Sequence, residues 1–90
     1  MEYLPHRSFD LGPLAHNARF EVRLRRSTAR VCLMDIDHYQ AYLDGNDYEF
    51  YGNFYNANSV VVEVPYDDYW YLVVDSYRKR IKVKVRQIFD

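Results

Sequence analysis

The stretch DDYWYLVVD, residues 67–75, shows the alternation on which the fold depends. Its second, fourth and sixth apolar positions place Trp70, Leu72 and Val74 on one face of an extended strand, which is the pattern of a core face. The opposite face carries Tyr69, Tyr71, Val73 and Asp75. Both faces are rather apolar, which also fits a central strand with little exposure. The two tyrosines on the second face are therefore candidates either for ligand contact or for core cover.

Three other segments alternate in the same way. Apolar residues lie on one face and charged residues, mostly basic, on the other in RFEVRLR (19–25) and RIKVKVR (80–86). SVVVEV (59–64) places three valines on one face and ends before Pro65, which has no N–H group for a ladder hydrogen bond. These segments predict half-buried strands.

Further short strands are predicted at RVCLMD (30–35), with Val31 and Leu33 as its core pair, and at DYEFYGNFY (47–55). The second run would place Tyr48, Phe50 and Phe54 on one face, with Gly52 as a candidate bulge. SFDLGPL (8–14) is expected to be a strand that enters a Gly12-Pro13 turn.

One segment has helical spacing instead. Ile36, Tyr39, Tyr42 and Leu43 lie within DIDHYQAYLDG (35–45), which begins with an acid and ends with a glycine. We therefore predict one domain over residues 1–90, an all-β antiparallel sandwich of six to seven short strands with one short helix around residues 36–43.

Composition limits the class of protein. Cys32 is the only cysteine, so an internal disulfide framework is excluded. Neither a signal peptide nor a run of about 18 apolar residues is seen, and we expect a cytoplasmic protein that does not enter the membrane. The net charge of −1 hides a segregation: residues 1–34 carry +3, residues 35–75 carry −9 and residues 76–90 carry +5.

The acidic middle segment, rich in tyrosine, is the preferred candidate binding surface. Tyrosine gives contact area at low entropic cost and suits sugars, peptides or a basic protein. We therefore predict a non-catalytic binding or protein-interaction module, with a carbohydrate- or small-ligand-binding domain that uses the same rings as the alternative. The surface is predicted to consist of Tyr51, Tyr55, Tyr69, Tyr71, Asp67 and Asp68. The alternative is that these rings cover the open ends of the sheets. Replacing Tyr69 and Tyr71 by alanine should separate the two, because only a true surface leaves the fold intact.

The basic strands offer an alternative site for nucleic acid, formed by Arg23, Arg25, Lys82, Lys84 and Arg86. Nucleic acid is the less favoured ligand because the net charge is near zero and most aromatic residues lie in the acidic middle segment, away from the basic strands. Proteins that bind single strands place aromatic rings within the basic groove. The same charges could instead pair with the acidic middle segment, either within one chain or between two copies of it. A protein partner or a homo-oligomer is therefore a further prediction.

Catalytic chemistry is not indicated. Cys32 lies within a predicted strand, where a small buried residue is the commoner role. Asp35, Asp37 and His38 could suggest a metal site, but acids at a helix start usually cap it, and no second cluster completes a metal shell. We expect no enzyme activity, no metal and no cofactor.

Several blocks in order resemble a bacterial family of small domains of unknown function, DUF1883. The matching blocks are FDLGPL (9–14), FEVRL (20–24), VCLMD (31–35), YQAYLDGNDYEFYG (39–52) and VEVPYDDYWYLVVD (62–75). The resemblance implies a compact, cytoplasmic β-sandwich with no assigned activity and no catalytic residues to carry over. Fusion of some relatives to Toll/interleukin-receptor-type domains hints at a recognition module.

The chain departs from the family pattern at turns where glycine is common. It has Asp67-Asp68 in one turn, Ser76-Tyr77 after the VVVD-type strand, and Asn53 after Gly52. Asp and Asn tolerate left-handed backbone, so the turns are expected to persist. A site built from bare backbone at these turns is not expected.

Overall fold

The computed structural model describes residues 6–77 and 82–89, and only the backbone at residues 26 and 27. This part of the chain has five strands and one helix: β1 (His6–Leu14), β2 (Arg19–Asp35), α1 (Ile36–Asp44), β3 (Tyr51–Glu63), β4 (Asp68–Asp75) and β5 (Lys84–Ile88). Every strand pair is antiparallel. The predicted antiparallel β class with one short helix is confirmed.

The strands form one curled sheet shaped like half a barrel, whereas the sequence predicted a sandwich of two sheets. β2 is central and pairs with β3 along nearly its whole length. On its other side, residues 30–35 pair with β4 and residues 19–23 pair with β5. β1 lies beyond β4 at one edge. The strand β2 thus supports two arms of the sheet, one formed with β4 and β1 and the other formed with β5.

The strand β2 contains a bulge and replaces two of the predicted short strands. The predicted strands 19–25 and 30–35 are one strand of 17 residues, with Arg25 at φ 53° and a register shift between Arg23 and Ser27. The extra residues bend the strand and change which alternate positions face the core. Leu24 before the bulge and Val31 after it are both fully buried in one cluster.

β3 likewise joins two predicted strands and begins only at Tyr51, so residues 46–50 are not a strand. Tyr48 and Phe50 pack together as expected. Phe54, directly opposite Arg30 on β2, lies on the same outer face but is 58% exposed. Gly52 pairs regularly with Cys32 and is not a bulge. A Cβ atom there would lie 1.9 Å from the Val31 carbonyl oxygen, so close backbone approach requires glycine.

Two segments at the edges also differ from expectation. Gly12-Pro13 lies inside β1 as an irregularity, with Gly12 at φ 78°, and the chain turns after Leu14 instead. Ser76, where the family pattern has glycine, has a left-handed φ of 60°. In the predicted strand 80–86, Val83 and Val85 face the core as expected, while residues 80 and 81 lie outside the described residues.

The curl separates an inner and an outer face. The inner face buries the main core, which includes Trp70, Leu72 and Val74 together with Val31 and Leu33, as predicted. On the outer face, a smaller cluster of Cys32, Met34 and Val73 is covered by tyrosines of α1 and by Tyr48 and Phe50. Over residues 6–77 and 82–89, no helix is long and apolar enough to cross a membrane.

Candidate functional site

The structure does not bring the predicted tyrosine surface together. Tyr51 and Tyr55 lie directly opposite Leu33 and Ala29, which belong to the main core, so both tyrosines are on the inner face. Tyr71 lies opposite Met34, which belongs to the outer cluster. The sheet therefore separates two pairs of rings that the sequence had grouped into one surface.

On the outer face, the tyrosines have partners within the chain. Tyr71 is half-buried and stacks on Tyr39 of α1, with ring centroids 4.0 Å apart and an interplanar angle of 13°. Tyr69 Oη donates a hydrogen bond to Asp10 Oδ2 at 2.8 Å, and this bond raises the pKa of Tyr69 to about 12. These contacts attach the helix and β1 to β4.

On the inner face, Tyr51 and Tyr66 pack around Trp70. Their rings meet edge-on at 5.9 Å, and both lie against the buried Trp70. Tyr66 Oη donates to Asp35 Oδ2 at 2.5 Å, and Trp70 Nε1 donates to the Tyr66 carbonyl at 3.0 Å. Tyr55 packs partly buried against the main core.

The two acids of the predicted surface lie at the start of β4: Asp67 is in the bend before the strand and Asp68 is its first residue. Asp67 Oδ1 accepts hydrogen bonds from the backbone N–H of His16 at 2.7 Å and is 2.8 Å from His16 Nδ1. These bonds from His16 lower the pKa of Asp67. Asp68 is exposed beside it. The predicted position in a turn agrees with the structure for Asp67 but not for Asp68, which pairs with Leu14 in the sheet. Ligand binding by the six residues stays a prediction.

The alternative basic residues, in contrast, lie side by side. Arg23 and Lys84 are directly opposite each other on β2 and β5, and Arg86 is directly opposite Glu21. Their neighbours Val22 and Val85 belong to the inner core, so the charged side chains lie on the outer face. We call Arg23, Arg25, Lys82, Lys84 and Arg86, all exposed, the basic face.

One carboxylate lies within the basic face. Glu21 Oε1 is 2.8 Å from Arg86 Nε and 3.6 Å from Arg23 Nε, and the hydrogen bond from Arg86 lowers the pKa of Glu21. Among residues 6–77 and 82–89, Arg25, Lys82 and Lys84 have no ion-pair partner. The face therefore keeps a clear excess of positive charge.

Two adjoining grooves cross the basic face. One, of about 530 Å³, is lined by Glu21, Arg23, Lys84, Val85 and Arg86. The other, of about 310 Å³, is lined by Arg23, Arg25, Asn58, Ser59 and Lys84. Arg23 and Lys84 contribute to both grooves, so these two residues are the centre of the face.

Sequence reasoning missed a buried polar cluster under α1. Arg30 Nε and Nη2 donate to the two carboxylate oxygens of Asp75 at 2.8 and 2.6 Å, and Nη2 also donates to Tyr48 Oη at 2.7 Å. Tyr42 Oη donates to Asp75 Oδ2 at 2.8 Å. The available signal was a charged residue next to an apolar run: Arg30 comes before VCLM and Asp75 comes after LVV. Their pairing depends on the register between β2 and β4, which the sequence does not show. Because each of these groups is satisfied within the cluster, its role is to hold α1 and residues 46–50 on the sheet.

The residues considered for catalysis or metal binding have structural partners. Cys32 is buried, and burial raises the pKa of its thiol to about 12, so it is a poor nucleophile. Asp35 caps α1 by accepting a hydrogen bond from the His38 N–H at 2.9 Å, as predicted. His38 Nδ1 accepts from the Glu49 N–H at 3.0 Å. In the part of the chain that the structure describes, no three His, Cys, Asp or Glu side chains are grouped so as to hold a metal ion.

Comparison with protein families agrees with the resemblance seen in the sequence. The model described as "Domain of unknown function (DUF1883)" matches residues 5–88, and the chain belongs to this family. No curated protein and no solved structure matches it. Family membership assigns no activity, so function has to be inferred from the surfaces described above.

Proposed function

We propose that the domain is a non-catalytic protein-interaction module whose basic face binds an acidic segment of a partner protein. The observation that supports this proposal is the convergence of Arg23, Lys84 and Arg86 from two strands onto one outer surface. Their charge exceeds that of Glu21, the acid within the face.

The position of α1 leaves this surface accessible. The helix packs against β2 and β4, over the cluster of Cys32, Met34 and Val73. The basic face lies on the other arm of the sheet, where β2 pairs with β5. Val61, directly opposite Glu21 on β3, is 54% exposed beside it and adds apolar contact area. An exposed apolar residue next to a basic surface suits a peptide that carries acids and a few apolar side chains.

One feature of the grooves favours protein over nucleic acid. The described residues that line the two grooves include no aromatic side chain, whereas single-strand binders stack bases on rings. Sugar binding by the predicted tyrosines is less favoured because those rings lie on opposite faces of the sheet.

The test is titration of a fluorescent polyglutamate peptide and, separately, of an oligo(dT) strand, followed by anisotropy at low and high salt. We expect polyglutamate to bind at low salt and to dissociate as salt rises. Arg23→Gln and Lys84→Gln should each weaken binding by roughly two- to fivefold, the range of one exposed ion pair.

Arg7→Gln is the matched control, since it removes one exposed charge from β1, outside the basic face. An equal loss of affinity with Arg7→Gln, or no binding of polyglutamate at low salt, would overturn the proposal. Tighter binding of oligo(dT), with the same dependence on Arg23 and Lys84, would replace it with a nucleic-acid function.

A further inference from the structure

The geometry points to a second copy of this chain as a partner of the basic face, with the exposed side of α1 as the segment that is bound. This inference rests on the proposed function, since it names the acidic partner. Ile36 and Leu43 are 47% and 48% exposed, although they are large apolar side chains on a helix that already packs on the sheet. They are seven residues apart, two helical turns, and so lie on one side of α1.

Acidic residues flank this apolar pair. Asp37 and Asp44 are exposed and each is adjacent in sequence to one of the two, and Asp47 and Glu49 are exposed just beyond the helix. Residues 35–75 contain no lysine or arginine that could neutralise them locally. The outward side of α1 therefore combines apolar contact area with negative charge, which is the complement of the basic face and its exposed Val61.

The two surfaces also match in length. Along α1, Ile36 to Leu43 spans about 10 Å at 1.5 Å per residue. Along β5 and the two residues before it, Lys82 to Arg86 spans about 13 Å at 3.3 Å per residue. Asp37 and Asp44 are separated by the same two turns of the helix, so their spacing is close to that of the cations at the two ends of this run.

Among the described residues of one chain, the acids of α1 form no ion pair with the cations of the basic face. Among the described elements, α1 contacts β2 and β4 but not β5, so the helix does not reach the basic face of its own molecule. Each copy presents one acidic and one basic surface, and these are different patches. The contact is therefore head-to-tail, which builds a ring or an open chain rather than a symmetric dimer.

A charge-exchange experiment tests this inference. Sedimentation velocity of the wild type should show association that grows with protein concentration and disappears at high salt. The variants Arg23→Glu/Lys84→Glu and Asp37→Lys/Asp44→Lys should each be monomeric alone, since each has lost one complementary surface. Their equimolar mixture should associate again, because every copy then meets an opposite charge on the other variant.

The variants must keep the wild-type circular dichroism spectrum, and Arg7→Glu serves as the control for Arg23→Glu because it reverses an exposed charge on β1, outside the basic face. A wild type that stays monomeric at low salt, while polyglutamate still binds through Arg23 and Lys84, would overturn self-association and leave the proposed function standing. Association that survives either double variant, or a mixture that stays monomeric, would also overturn it. A wild type that neither associates nor binds polyglutamate at low salt would overturn both proposals.

Discussion

Arg30 and Asp75, 45 residues apart in the chain, form a two-point ion pair beneath α1. They are directly opposite on β2 and β4, and the side chains are 16% and 7% exposed. The guanidinium also lies over the ring of Phe50, 4.8 Å from its centroid. The pair therefore joins the outer face of the sheet to residues that follow the helix.

Asp75→Asn should destabilise the domain strongly. The substitution keeps the size of the side chain but leaves the mostly buried Arg30 without a counter-charge, which typically costs about 3 kcal/mol or more. Urea unfolding measures the free energy directly. Asp47→Asn, which changes an exposed acid in the loop after α1, should stay within about 0.5 kcal/mol of the wild type. If Asp75→Asn lost no more unfolding free energy than Asp47→Asn, the ion pair would contribute little to stability.

The same carboxylate predicts a loss of stability in acid. Burial raises the pKa of Asp75, but hydrogen bonds from Arg30, Tyr42 and Ser76 outweigh burial and hold the pKa below its ordinary value. A group with a lower pKa in the folded state adds stability above its unfolded pKa, and loses it as pH falls through the folded pKa. The free energy of unfolding should therefore decline from about pH 5 downwards. The decline should be shallower in Asp75→Asn, and an unchanged slope would contradict this assignment.

Tyr71→Ala should weaken the fold, although the sequence suggested a ring free for ligand contact. Tyr71 stacks on Tyr39, so its removal takes away part of the contact between β4 and α1. We expect a loss of about 2 kcal/mol, less than for a fully buried ring because Tyr71 is half-buried. Tyr71→Phe keeps the ring and should retain most of the stability. An alanine variant as stable as the wild type would return Tyr71 to the candidate binding residues.

Arg25 and Arg23 should respond to glycine in opposite directions. Arg25 has a left-handed φ of 53° in the bulge, a conformation that costs a residue with a Cβ atom about 1 kcal/mol and costs glycine nothing. Arg25→Gly should therefore be neutral or stabilising, whereas Arg23→Gly, within the regular ladder, should destabilise by about 0.5–1 kcal/mol. Thermal unfolding compares them. Both variants should bind polyglutamate more weakly, and an unchanged affinity for Arg25→Gly would place Arg25 outside the contact.

Local features of the sequence predicted what local physics controls. The alternation in residues 70–74 identified Trp70, Leu72 and Val74 as core, and all three are fully buried. Asp35 and Gly45 were expected to begin and end the helix, and they cap it. Both predictions depend only on neighbours within a few residues, since side-chain direction and capping are set by the backbone there.

The candidate site could not be predicted in the same way. Alternation shows that Tyr69 and Tyr71 share a face, but it does not show that α1 covers Tyr71 or that Tyr51 lies on the other side of the sheet. The bulge at Arg25 was missed because a left-handed arginine has no sequence signal as strong as glycine. The two predicted strands on either side of this bulge are one strand, and the sheet is curled rather than a sandwich.

The sequence by itself determined the antiparallel β class, the helix and its caps, most of the core, and the separation of acidic from basic segments. Only the tertiary structure decided the strand order, the register that pairs Arg30 with Asp75, and the assembly of Arg23, Lys84 and Arg86 into one face. The physical reason is that periodicity fixes the side chains that share a face of a strand. The neighbour of each strand, and the element that covers each face, are fixed by contacts between residues that are distant in the chain.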